Sequence, residues 1–127
     1  MKKSLLPLLA LLLLTLSLQA ADPADLAREE QRLSHKLLSA YLNGANAESV
    51  LRDLRQTQHE LKSSLKDPEI RNLLAFIDLC IGELQGSLRR PVTPANIEIV
   101  SDLTTSIDEG SRFILGAVAR PHRIARR

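Results

Sequence analysis

Aromatic residues are nearly missing from this chain. Tyr41, Phe76 and Phe113 are the whole set among 127 residues, and there is no tryptophan. So few rings exclude a base-stacking platform for nucleic acid and an aromatic cage for a cationic ligand. No RNA- or DNA-binding motif replaces them, so nucleic acid is not expected as a partner. Cysteine is as scarce. Cys80 stands alone, which rules out a disulfide within the chain and any Cys-x-x-Cys metal or haem motif. Between Leu79 and Ile81, in a helical pattern, its thiol reads as a small hydrophobe; a bridge to a second copy is the alternative. The histidines, His35, His59 and His122, include no pair three or four residues apart, the spacing that sets two metal ligands on one helical face. Only convergence of His35 with His59 across two helices would make a metal site, and exposed helix surface is the plainer reading. No metal and no cofactor is expected. The sequence also has no Gly-x-Ser-x-Gly and no glycine-rich phosphate loop, and an apolar setting disfavours the Cys80 thiolate. A protein without catalytic activity is therefore expected.

What is present begins with a leader. Met1-Lys2-Lys3 precedes an apolar run from Leu5 to Leu18, and Gln19-Ala20-Ala21-Asp22 follows. Charge, then apolar stretch, then small residues is the order of a secretory signal. The run falls short of the roughly 20 residues that span a bilayer, so cleavage after Ala20 and a periplasmic or secreted product without a stable membrane span are expected. A retained anchor is the competing reading. The whole chain carries 17 Lys and Arg against 15 Asp and Glu, and loss of Lys2 and Lys3 leaves fifteen of each sign. Arg120, Arg123, Arg126 and Arg127 crowd the end, so residues 119–127 read as a basic, solvated tail.

Residues 21–118 are one domain cut into four amphipathic stretches by Asn43-Gly44, Asp67-Pro68 and the segment from Pro91 to Pro94. Strand alternation is missing and good helix formers dominate, so all four are expected to be helical, over about 23–42, 47–66, 68–89 and 94–118. Asp22, Asn46, Asp67 and Thr93 are the expected N-caps, three of them followed by proline at the first helical position. Each helix has an inward stripe: Leu26, Leu33, Leu37 and Tyr41 on the first; Val50, Leu51, Leu54, Gln58, Leu61 and Leu65 on the second. On the third, Phe76, Leu79 and Cys80 widen the arc of Ile70, Ile77, Ile81 and Leu84, a breadth that implies burial on two sides. The fourth steps regularly through Ile97, Val100, Thr104, Ile107, Ser111, Ile114 and Val118, with Asp102, Asp108 and Glu109 read as its solvated face. Short connections make sequential helices antiparallel neighbours. The fold class is therefore all-α, an antiparallel up-down-up-down four-helix bundle following a signal peptide at 1–20.

Two surfaces stand out as candidates for binding. Arg28, Arg32 and Lys36 follow at steps of four and form a cationic stripe on the first helix, suited to a small anion across a symmetric dimer; ordinary pairing with Glu29 and neighbouring helices is the plainer reading. Phe76, Leu79 and Cys80 make an apolar face suited to a partner helix. Gly82 and Gly86 on the third helix and Gly110 and Gly116 on the fourth each cost up to about 1 kcal/mol relative to alanine. They suit either a tight crossing or a shallow ligand groove.

The string Glu30-Gln31-Arg32-Leu33-Ser34-His35-Lys36-Leu37-Leu38-Ser39-Ala40-Tyr41-Leu42 resembles the opening helix of the PilJ-type N-terminal sensor domain of type IV pilus methyl-accepting chemotaxis transducers, a domain similar to the periplasmic part of nitrate and nitrite sensor kinases. Leu33-Ser34 and Lys36 match that family's Leu-Ser and following Arg, and Ala40-Tyr41-Leu42 fit the end of its segment. Gln31 falls where the family has its anion-binding arginine, and Arg32 is displaced by one position, about 100° around the helix. The resemblance implies an exported four-helix sensor bundle that binds a small anion between the first helices of two subunits. The expectation from sequence is thus a non-catalytic, sensor-like bundle binding a small molecule or a signalling partner protein. The alternative is a structural or chaperone-like periplasmic protein that docks a partner helix.

Overall fold

Proline and capping residues set most of the helix boundaries. In a computed structural model that describes residues 22–119, α1 spans Pro23–Leu42, α2 Ala47–Ser64, α3 Pro68–Ser87 and α4 Pro94–Val118, with no strand among the described residues. The expected signal segment and nearly all of the basic tail lie outside these residues. Asn46 Oδ1 accepts from Ser49 N at 3.1 Å, Asp67 Oδ1 from Glu69 N at 2.9 Å and Thr93 Oγ1 from Asn96 N at 3.2 Å. Each bond satisfies one of the amides that a helix start leaves without a partner. Asp22 holds the capping position of α1 but makes no side-chain cap.

The α1–α2 turn is closed by backbone geometry. Gly44 adopts φ +67, its N–H bonds Tyr41 O at 3.4 Å, and Ala45 N bonds Ala40 O at 2.8 Å. This paired arrangement terminates a helix through one left-handed residue, a role glycine fills without strain. Helices α2 and α3 end two residues earlier than the sequence pattern implies, at Ser64 and Ser87. After Ser87 the chain tightens into turns, with Arg89 N bonding Gly86 O at 3.2 Å and Arg90 N bonding Ser87 O at 3.1 Å.

The helices form a bundle in which α1 packs on α2 and α4, and α3 packs on α2 and α4. The α1–α4 seam is the most extensive and α2–α3 the least. Leu33, Leu37, Leu54, Leu61, Leu74, Ile77, Leu84, Ile107 and Ile114 fill the centre, a core of interlocking branched aliphatics with Tyr41 as its one aromatic ring. Each fully buried one of these stabilises the fold by about 1.5–3 kcal/mol relative to exposure. At Gly110 an added Cβ would lie 2.9 Å from Ile77 Cδ1, so α4 crosses close to α3 there. Gly82 and Gly86 face open space, with no atom within 4 Å of an added Cβ.

One end of the bundle is tied by a buried amide. Asn96 at the start of α4 donates from Nδ2 to the Ser87 carbonyl at 2.8 Å and to the Tyr41 hydroxyl. A single side chain thereby joins the last turns of α1 and α3 to the first turn of α4. No helix among the described residues is long and apolar enough to cross a membrane.

Candidate binding surfaces

The expected anion stripe on α1 is exposed and already engaged. Arg28 donates to Asp25 Oδ1 at 2.9 Å, and Arg32 makes a two-pronged pair with Glu29 at 2.6 and 2.9 Å. The Arg32 hydrogen bond, with the nearby charge of Arg32 and Lys36, holds the Glu29 carboxyl below its usual range. Lys36, also exposed, has no carboxylate within 4 Å among the described residues. The stripe therefore offers a ligand one free cation and two that must first leave local acids.

Beside it lies a polar cluster that the pattern of charges concealed. Asp108, assigned from sequence to the solvated face of α4, is 8% exposed. It accepts from Arg112 at 2.9 Å and sits 3.0 Å from His35 Nε2. The α1–α4 seam covers it because it lies one position from Ile107 on the inward stripe. His35 and His59 do not converge: His35 faces α4, whereas His59 lines a cleft against α3. No group of three or more potential metal ligands occurs among the described residues.

Deeper in the same seam, Glu30 is completely buried. Its Oε1 lies 2.9 Å from Ser111 Oγ, and Oε2 has no partner. Burial is the main cause that pushes its carboxyl up to about 7; Ser111 opposes the shift and the charge of Asp78 adds to it. The signal for this residue was in the sequence, since Leu26, Glu30, Leu33 and Leu37 step by four, three and four along one face.

The α3 face is split. Phe76 is 47% exposed and Leu79 70%, whereas Cys80 turns into the core at 5%. Cys80 is thus not part of an accessible face. Burial first, then the charge of Glu83, raises its thiol above the ordinary value, which suits a packing role. The breadth of the apolar arc reflects one buried side and one open side. On α4, Ile99 (40% exposed) and Phe113 (62%) are open as well, and Leu79 and Ile99 line a common hollow that Gly82 and Gly86 also border. Both phenylalanines of the chain therefore lie on the surface while leucine and isoleucine fill the core.

Between α2 and α3 runs a polar cleft of about 360 Å³, walled by Arg55, His59 and Lys62 and opposed by Asp78 and Gly82. At its floor Gln58 donates from Nε2 to the Leu74 carbonyl at 2.7 Å and to Asp78 Oδ1 at 3.1 Å. Lys62 Nζ meets the other Asp78 oxygen at 2.6 Å. Sequence reading placed Gln58 inward but missed the cleft, because only the packing of α2 on α3 sets these groups opposite one another.

No protein-family model matches this chain, and neither a curated protein nor a solved structure matches it.

Proposed function

We propose that this chain is an exported, non-catalytic, sensor-like helical bundle that works by docking a helix of a partner protein on its α3–α4 face. The carrying observation is that Phe76 and Phe113, the only phenylalanines, are both exposed, on the same two helices whose exposed Leu79 and Ile99 line a common hollow. Leaving large apolar side chains in water on adjoining helix faces forfeits burial worth about 25 cal/mol per Å², and grouped residues of this kind mark interaction surfaces. Export rests on the Met1 to Ala21 pattern. The up-down-up-down order is supported by partners whose numbers run in opposite directions. Tyr41, His35 and Glu30 reach Asn96, Asp108 and Ser111, while Arg55 and Lys62 reach Gln85 and Asp78.

A photo-crosslinking residue in place of Leu79, irradiated in living cells, is expected to give one discrete adduct. Phe113→Ser should abolish it. A crosslinker at Arg28, on the α1 surface, should give none. Leu79→Ser itself should alter unfolding free energy by no more than about 0.5 kcal/mol, as for other exposed positions. An adduct that persists in Phe113→Ser, or no adduct at position 79, would overturn the docking face.

The PilJ-type resemblance supports a second reading, a small anion held by Arg28, Arg32 and Lys36 between two subunits. The observation that favours it is the exposed, uncompensated Lys36. In that reading nitrate or nitrite raises the melting temperature with the logarithm of its concentration once above its Kd, and Arg32→Ala removes the shift. A protein that stays monomeric by light scattering at high concentration counts against it.

A further inference from the structure

We infer that the α2–α3 cleft is a binding site for a small, extended polycarboxylate, distinct from the α1 stripe and bordering the α3–α4 docking face at Gly82. Cationic residues converge on it. Arg52, Arg55, His59 and Lys62 follow one another along α2 at steps of three, four and three, and all four are exposed. These steps keep them on one side of the helix. Arg89, just past α3, reaches the same region, where a second hollow of about 200 Å³ shares Arg55 with the first.

The acids lining the two hollows are already occupied. Asp78 is held by Lys62 and Gln58, and Glu48 stands 4.0 Å from Arg89. Arg52 and Arg55 have no carboxylate within 4 Å among the described residues, and Arg55 bonds only the neutral Gln85 carbonyl. That bond fixes the guanidinium at the mouth shared by both hollows. The cleft therefore carries net positive charge from planar, two-pronged donors, the groups best matched to carboxylates.

The floor supplies an independent sign of incompleteness. Gln58 is 2% exposed, both of its N–H groups are used, and its Oε1 lacks a donor. A buried acceptor left unmade costs about 1–3 kcal/mol. A ligand hydroxyl, or a water that the ligand orders, would satisfy it. Gly82 keeps the opposite wall free of side chain, since nothing lies within 4 Å of an added Cβ. Shape selects the anion. From Arg52 to Lys62 the cations span ten residues, about 15 Å at 1.5 Å per residue, so an elongated anion with separated charges engages more of them than a compact one does. Citrate and succinate fit this description; inorganic phosphate does not.

The test is calorimetric titration of the purified protein at constant ionic strength with citrate, succinate and inorganic phosphate. Saturable binding of citrate or succinate, one per chain and at least tenfold tighter than phosphate, is expected. Arg55→Gln should weaken it tenfold or more, and Gly82→Leu, which fills the cleft from an exposed helix position, should abolish it. Both variants must show the circular dichroism of the parent. Arg28→Gln, on the α1 stripe, should bind as the parent does. No saturable binding of either carboxylate, or equal binding in Gly82→Leu, overturns the site. Phosphate binding as tight as citrate overturns the ligand class, and loss of binding in Arg28→Gln moves the anion to α1. Gly82 also borders the hollow of Leu79 and Ile99, whereas Arg55 does not, so the crosslinking result at Leu79 is read in Arg55→Gln and stands or falls separately.

Discussion

Between about pH 5 and about pH 8 the bundle is expected to lose about 3 kcal/mol of stability, and Glu30→Gln is expected to abolish most of that loss. The carboxyl of Glu30 is raised from 4.5 to about 7 in the fold, chiefly by burial. An acid whose folded value is raised holds its proton after the unfolded chain has released it. Stability is then highest below the unfolded value, falls as pH rises from about 4.5 to about 7, and levels off above. Each unit of difference is worth 1.36 kcal/mol, so two and a half units give about 3 kcal/mol.

The atoms give the same sign. Protonated Glu30 can donate to Ser111 Oγ, and the single Ser111 proton then goes to the Ile107 carbonyl, 2.8 Å away. Ionised Glu30 claims that proton for its own Oε1 at 2.9 Å and leaves its second oxygen without a partner in an apolar seam. Urea unfolding across this range is the measurement. Glu30→Gln should be more stable than the parent by about 2–3 kcal/mol at pH 8 and about equal to it near pH 4.5. Parallel curves for the two proteins would remove Glu30 as the cause. Glu29, whose carboxyl is lowered by the Arg32 hydrogen bond, acts in the opposite direction. Its contribution is present above the unfolded value and fades only as pH falls below it, so the two acids act in separate windows.

Asn96→Ala is the second large effect, with an expected loss of about 2–3 kcal/mol. The substitution removes two donors at once: the buried Tyr41 hydroxyl loses its partner, and the Ser87 carbonyl at a helix end keeps only Arg90 N, at 3.1 Å. A buried polar group deprived of its partner costs about 1–3 kcal/mol, offset by a few tenths from the better helix propensity of alanine. Tyr41→Phe, which deletes only the hydroxyl, should cost about 1 kcal/mol. The double variant should lose less than the sum, because both changes break the same hydrogen bond. Thermal or denaturant unfolding of the four proteins makes the cycle. A loss below about 0.5 kcal/mol for Asn96→Ala would show that the amide does not tie the three helices together.

Asn96 also shows where sequence reading reaches and where it stops. The punctuation around it was legible: Thr93-Pro94 is a cap and a fixed φ, a local matter that needs no knowledge of the neighbours. The inward direction of Leu33, Leu54, Ile77 and Ile107 was legible too, because spacings of three and four have one meaning in a helix. Asn96 itself gave no such signal. Its role depends on Tyr41, 55 residues away, and no periodicity links the two. Glu30 and Asp108 were hidden for a different reason. A charged side chain suggests solvent, although one of these residues lies on an apolar stripe and the other beside it. On α3 apolar character alone does not separate burial from an open face: Phe76 and Leu79 remain in water, because α3 packs on α2 and α4 and its far side is uncovered among the described residues. The polar cleft could be seen only once two helix faces were set against each other.

The α1–α4 seam has a bearing on how the molecule assembles. Its partners lie far apart along the chain, 81 residues between Glu30 and Ser111, whereas α1 and α2 are joined by a short turn. Chain entropy opposes such closure only logarithmically, about 0.6 kcal/mol per doubling of the loop. Three doublings beyond a loop of about ten residues thus amount to about 2 kcal/mol. That penalty is removed if the α1–α2 and α3–α4 hairpins form first and meet as preformed halves. The most extensive contact surface in the fold would then be made last, by two pieces coming together, and the proton on Glu30 would help decide whether they stay together.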